Sequence, residues 1–229
     1  MISKVVPSLI YNTVDNPIFP TSGKRYTAAL DLAGLGGNTN FYKPVLEGVW
    51  YWKQNNRLTL GTRAQYQYIH AFTGSRDLPI FEKLFLGGEY SIRGFDIRTI
   101  GPQDPITGLV LGGNKSLLFN VEEQISIAGP VRLIFFYDAG QVQPGPEVVA
   151  PPAFVADGGS TAFTLKPGKD FNWQDFKTST GAEVRFFMPV LNVPFRLIFA
   201  YNPQRKGVYD NNLQPQSKFQ FRFAVGSTF

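Results

Sequence analysis

The segment Arg57-Leu58-Thr59-Leu60-Gly61-Thr62-Arg63-Ala64-Gln65-Tyr66-Gln67-Tyr68 alternates with a period of two. Leu58, Leu60, Ala64, Tyr66 and Tyr68 share one set of positions, with Thr62 the only polar member, while Arg57, Thr59, Gly61, Arg63, Gln65 and Gln67 fill the other. That period belongs to a β-strand with one apolar and one polar face, not to a helix. It recurs at Leu117, Phe119 and Val121 against Asn120, Glu122 and Gln124, and at Val131, Leu133, Phe135 and Tyr137 against Arg132 and Asp138. Phe195, Leu197, Phe199 and Tyr201 likewise oppose Arg196 and Asn202. At the end of the chain Phe219, Phe221, Phe223, Val225 and Phe229 alternate with Gln220, Arg222, Ala224, Gly226 and Thr228. Nine strands are expected, at about 6–15, 23–34, 42–53, 57–70, 114–127, 131–142, 178–188, 194–203 and 218–229. Most exceed the roughly 5–6 residues usual in soluble sheets and match the roughly 9–11 tilted residues that cross a bilayer.

Trp50, Tyr51, Trp52, Tyr66 and Tyr68 cluster toward strand ends, as interfacial girdles do. The connections sort by length. Turns near 16–22, 54–56, 128–130 and 189–193 are short, whereas the alternate connections include two long ones, 71–113 and 143–177. Such segregation is expected of an outer-membrane barrel, with short periplasmic turns and longer outer loops. These features favour a membrane barrel over a soluble one. Nine strands are an odd count where single-chain bacterial barrels are usually even. Either the first is not a full strand or the chain is a piece of something larger, and the second reading is preferred.

Composition agrees with a folded, non-enzymatic protein. The chain of 229 residues is 43% hydrophobic, which excludes disorder. Zero cysteines exclude disulfides, thiolate metal sites and cysteine catalysis, and the single His70 argues against a histidine zinc site or a Ser-His-Asp triad. No Gly-x-Ser-x-Gly elbow occurs, and Glu122 and Glu123 are neighbours on a strand, so they face opposite sides and form no dyad. No catalytic residue, metal or cofactor is expected. The net charge of +5 arises from scattered residues without a basic run, so nucleic acid is not an expected partner. No segment has the roughly 20 consecutive apolar residues of a membrane helix. Residues 1–12 lack the features of a signal peptide, so an export signal is expected to be missing.

The segment Phe81-Glu82-Lys83-Leu84-Phe85-Leu86-Gly87-Gly88-Glu89-Tyr90-Ser91-Ile92-Arg93-Gly94-Phe95 sits inside the longest connection. A surface loop is normally polar, and this one is apolar with paired glycines, which suggests that it folds inward against the barrel wall. Arg93 would then lie in a restricted space and need acceptors. The polar faces of two strands offer Glu122 and Asp138. On spacing alone, a solvated loop tip stands equally beside this reading.

Residues 81–102, containing Ile92-Arg93-Gly94-Phe95-Asp96-Ile97-Arg98-Thr99-Ile100-Gly101-Pro102, resemble the inward-folded loop of the BamA family of outer-membrane β-barrel assembly factors. The family signature there is Val-Arg-Gly-Phe or Val-Arg-Gly-Tyr, and Ile92 is a conservative departure. In the same order, Tyr11-Asn12-Thr13-Val14-Asp15-Asn16-Pro17 with Phe19-Pro20-Thr21-Ser22-Gly23, Gly112-Gly113-Asn114 leading to Glu122, and Tyr137-Asp138-Ala139-Gly140 resemble later parts of that family. The ending, with Phe219, Phe221, Phe223, Val225 and Phe229, resembles the C-terminal strand signal of outer-membrane barrels. The resemblance spans essentially the whole chain but only the C-terminal half of a barrel of about sixteen strands, with no counterpart to the periplasmic POTRA domains.

The resemblance implies an all-β, antiparallel transmembrane barrel of about eight strands, nine counting the first, forming one domain over residues 1–229 in the cell outer membrane. It implies Arg93 anchored to Glu122 and Asp138, with 219–229 as one side of a seam where client strands pair. Expected partners are membrane lipids, unfolded outer-membrane barrel precursors and assembly-machine subunits. Alternatives are a two-partner-secretion pore or an inactive barrel scaffold. Two ways of closing the sheet are expected: a small self-closed barrel, or a homodimer joined through the sheet edges. An open monomeric sheet would contradict both.

Overall fold

The computed structural model describes residues 2–34, 39–72, 78–104, 107–145, 147–149, 164–166, 168–189 and 193–226. The strands fall where the alternation places them. The first segment divides at Val6 and Pro7 into β1 (Lys4–Val5) and β2 (Ser8–Asn12), and both pair with β3 (Gly23–Ala33). Then come β4 (Phe41–Lys53), β5 (Leu58–Tyr68), the short β6 (His70–Ala71), β7 (Lys115–Ala128) and β8 (Val131–Gln143). A separate two-stranded ribbon, β9 (Glu147–Val149) with β10 (Thr164–Lys166), lies in the next connection. The series ends with β11 (Lys177–Met188), β12 (Val193–Tyr201) and β13 (Phe219–Val225).

Every pairing in the main sheet is antiparallel, in the order β1-β3-β4-β5-β7-β8-β11-β12-β13, with β2 also on β3 and β6 on β4. The path does not return to its start, and among the described residues β13 pairs with β12 alone. The self-closed small barrel expected as one alternative is therefore not formed. The physical reason lies on the concave side, where the long β6–β7 connection folds in. An eight-stranded barrel has an interior just wide enough for its own side chains.

The two faces of the sheet invert the soluble pattern. Asn120, Glu122, Gln124, Arg132, Asp138, Glu183, Arg185 and Arg196 are buried on the concave face. Phe119, Val121, Phe135, Tyr137, Phe199 and Tyr201 stand exposed on the convex face. A water-soluble sheet would bury the second set and wet the first. A sheet with lipid on its convex side and a lumen on its concave side does the reverse.

Candidate functional site: the inward loop and the terminal strand

The loop braces itself before it touches the wall. Isolated bridges join Leu84 to Gly113, Leu86 to Ile100 and Gln103 to Val110, giving backbone groups partners inside the lumen. Leu84, Leu86, Ile92, Phe95 and Ile100 then pack with Phe41, Ile69, Leu118 and Val142 in one buried cluster. That cluster explains the apolar sequence: the loop is the core of its end of the barrel. Gly94, at φ +81°, turns the chain against the far wall. A Cβ there would stand 2.5 Å from Ala200 Cβ and 2.7 Å from Asn202 Oδ1, so no other residue fits without displacement. The Gly94 carbonyl accepts from Asn202 Nδ2 at 2.8 Å and Gln216 Nε2 at 3.0 Å.

Arg93, fully buried, is the anchor. Its Nε and Nη2 donate to Asp138 Oδ2 and Oδ1 at 2.8 and 2.7 Å, a two-pronged fork, and its backbone N–H adds a third bond to Oδ2 at 3.0 Å. Nη1 donates to Glu122 Oε1 at 2.7 Å and to Glu183 Oε2 at 3.2 Å. The guanidinium plane lies 3.8 Å from the centre of the Phe136 ring. Asn120, paired with Asp138 across β7 and β8, donates to Asp138 Oδ1 at 2.8 Å and to the Ser91 carbonyl at 2.7 Å.

The expected partners Glu122 and Asp138 are thus both present, and Ile92 and Phe95 are buried beside them. The residues missed from sequence are Glu183, Arg185 and Arg196. Arg185 of β11 stands directly opposite Arg196 of β12. Glu183 lies between the two charges, accepting from Arg185 Nε at 2.8 Å and from Arg196 Nε and Nη2, each at 2.8 Å. Arg185 Nη2 also reaches Glu122 at 3.4 Å. Three guanidinia therefore meet three carboxylates in one desolvated cluster, and each buried charge is matched. The signal was available: two arginines opposed across a hairpin need an acid on the same face, and Glu183 is two residues from Arg185.

The loop also touches β13. Asp96 pairs with Arg222, and the Tyr90 hydroxyl donates to the Val225 carbonyl. The expected terminal signal residues Phe219, Phe221, Phe223 and Val225 are all exposed on the convex face, whereas Phe229 lies outside the described residues. Their rings extend the β12 ladder, with Tyr201–Phe219 centroids 4.9 Å apart and Phe199–Phe221 5.1 Å.

Comparison with known proteins agrees with this arrangement. The Omp85 superfamily domain matches residues 2–229. The chain belongs to the Omp85 superfamily. This Omp85 chain is 28% identical over 224 residues to the outer membrane protein assembly factor BamA of Nitratidesulfovibrio vulgaris, covering 95% of this chain and 24% of that protein. It is 25% identical to BamA of Neisseria meningitidis serogroup B, with 95% and 28% covered. The crystal structure of BamA from Haemophilus ducreyi lacking POTRA domains 1–3 superposes with a TM-score of 0.71 at 20% identity, covering 96% of this chain and 41% of the other. The Omp85 chain thus spans about a quarter of the length of these curated relatives and has the fold of the C-terminal part of a BamA barrel. It is an outer-membrane protein.

Proposed function

We propose that this chain is the barrel portion of an outer-membrane protein assembly factor, working without enzymatic chemistry by templating client strands at the β13 edge. One observation carries the reading. On β13 the backbone groups of alternate residues point in opposite directions, as in any antiparallel ladder. Asn202 N donates to the Lys218 carbonyl and Gly226 N to the Pro194 carbonyl, each at 2.8 Å. These bonds place the even-numbered residues of β13 toward β12. The N–H and C=O groups of Phe219, Phe221, Phe223 and Val225 therefore point to the outer edge, and their side chains stand exposed on the convex face.

An unpaired edge in hydrocarbon is costly, because no water satisfies it, and an incoming strand is the natural partner. Unfolded outer-membrane barrel precursors supply such strands through their own repeated alternating pattern, and a second copy of this chain is a further donor. Accessory assembly subunits fit the same reading through the similarity to BamA.

The test is the folding rate of an unfolded outer-membrane barrel client into vesicles with the refolded chain present. Phe221→Pro removes one outer-edge donor without touching a β12 bond. The chain should accelerate client folding, Phe221→Ala should retain most of that effect, and Phe221→Pro should lose it. A folding rate unchanged by the chain, or equal with Phe221→Ala and Phe221→Pro, would defeat the reading.

A further inference from the structure

The outer edge of β13 is not uniform. Three of its outward carbonyls, those of Phe219, Phe221 and Phe223, face the edge, but the fourth, on Val225, already accepts the Tyr90 hydroxyl. Tyr90 belongs to the inward loop, 135 residues away in sequence, and the contact is closely fitted. A Cβ built on Gly226 would lie 3.3 Å from the Tyr90 oxygen.

The backbone around Tyr90 is held from two walls. Its own carbonyl accepts from Arg63 Nη1 at 3.0 Å, on β5, and the preceding Glu89 carbonyl accepts from Arg196 Nη1 at 3.2 Å, on β12. Three residues on, Arg93 is locked to Asp138, Glu122 and Glu183. The hydroxyl is thus delivered to the edge by an anchored support and not by a freely moving side chain.

We propose that Tyr90 sets the register of pairing at the free edge. A partner strand that continues past Phe223 needs the Val225 carbonyl as an acceptor for its own N–H. While the loop is docked, the Tyr90 hydroxyl competes for that acceptor, so pairing past Phe223 is weakened. Full-strength pairing there requires the hydroxyl to leave. This inference rests on the edge-pairing reading above and adds to it the residue that limits where pairing begins.

The natural absence of cysteine gives a clean test. Phe221→Cys and Val225→Cys are made singly, refolded in detergent micelles, and offered a set of synthetic peptides of sequence 219–225, each bearing one cysteine at an odd-numbered position and activated as a mixed disulfide with thionitrobenzoate, which leaves as the protein thiolate attacks. With Tyr90 in place, disulfide to the peptide should form in Phe221→Cys and several-fold less in Val225→Cys, the scale of one net hydrogen bond. Adding Tyr90→Phe, which deletes only the hydroxyl, should raise the Val225→Cys yield to that of Phe221→Cys and leave the latter unchanged. Equal yields at both positions with Tyr90 present would overturn the register role and leave edge pairing intact. So would a Val225→Cys yield that stays low in Tyr90→Phe. No disulfide at either position in either background would overturn edge pairing, and the register role with it.

Discussion

The wall formed by β7, β8, β11 and β12 and the terminal strand β13 belong to one sheet, yet they handle polar groups in opposite ways. On the wall, three arginines and three acids are buried and matched. On β13, Phe219, Phe221, Phe223 and Val225 are apolar and exposed, and one set of backbone groups faces outward. The charge cluster cannot be loosened a little, because removing any member strands a buried charge. Under the proposed function the edge pairs with a partner and releases it, because those bonds would be added without disturbing the ones to β12. A rigid wall holding a loop beside a labile edge is a division of labour within one sheet.

The sharpest way to break the contrast is Arg93→Ala, which leaves Asp138, Glu122 and Glu183 without the guanidinium that bridges them. Loss of one partner from a buried ion pair costs about 3–5 kcal/mol. Arg93→Ala should therefore lower the temperature at which the folded form loses its heat-modifiable gel shift. An unchanged shift would show that the loop is not anchored through this residue. Gly94→Ala should cost less, about 1–3 kcal/mol, from a strained positive φ and the approach to Ala200, and the same gel assay would rank the two.

The smallest effect is expected in the turn between β2 and β3, which meets the wall where Arg132 of β8 donates to the Phe19 and Pro20 carbonyls. Partial burial pushes the Asp15 carboxyl upward, but hydrogen bonds from Thr21 Oγ1 and from the Thr21 and Ser22 backbone N–H groups outweigh it, bringing its pKa to about 2 from an ordinary 3.8. A folded pKa below the unfolded one means that the ionised form stabilises. That contribution is present above about pH 4 and disappears as pH falls toward 2. Asp15→Asn should narrow slightly the difference in melting temperature between pH 6 and pH 2.5, and should leave the Arg93 effect unchanged. Coupling between the two would mean that the Arg132 bridge from turn to wall reaches the Arg93 cluster.

Much of this was legible because a strand's period is local. The strand segments follow from alternation, which also offered Glu122 and Asp138 as acceptors; the inward loop showed as an apolar stretch with paired glycines, and only the resemblance to the BamA family set that reading above a solvated loop tip. Glu183, Arg185 and Arg196 escaped because their meaning depends on the register of β11 against β12, which brings Arg185 opposite Arg196. The Tyr90 contact with Val225 carries no sequence signal, since it joins a side chain to a backbone carbonyl across 135 residues. Closure was misjudged for a volumetric reason. Strand count suggests a small barrel, but the loop's buried cluster of Leu84, Leu86, Ile92, Phe95 and Ile100 occupies the space that closure would need.

The matched cluster also has a history in time. The β11–β12 hairpin brings its arginines to Glu183 across separations of 2 and 13 residues, so it can form alone, with one positive charge in excess. The β7–β8 hairpin contributes the two negative charges of Glu122 and Asp138 to the cluster, its buried Arg132 being turned instead to Gln124 and the Phe19 and Pro20 carbonyls. These hairpins attract one another, and their union is still one charge short. Arg93 supplies it across separations of 29, 45 and 90 residues, the slowest closures of the set. A hairpin docked one position out of register would turn these charges to the lipid face, so the matched cluster also specifies the register of the wall.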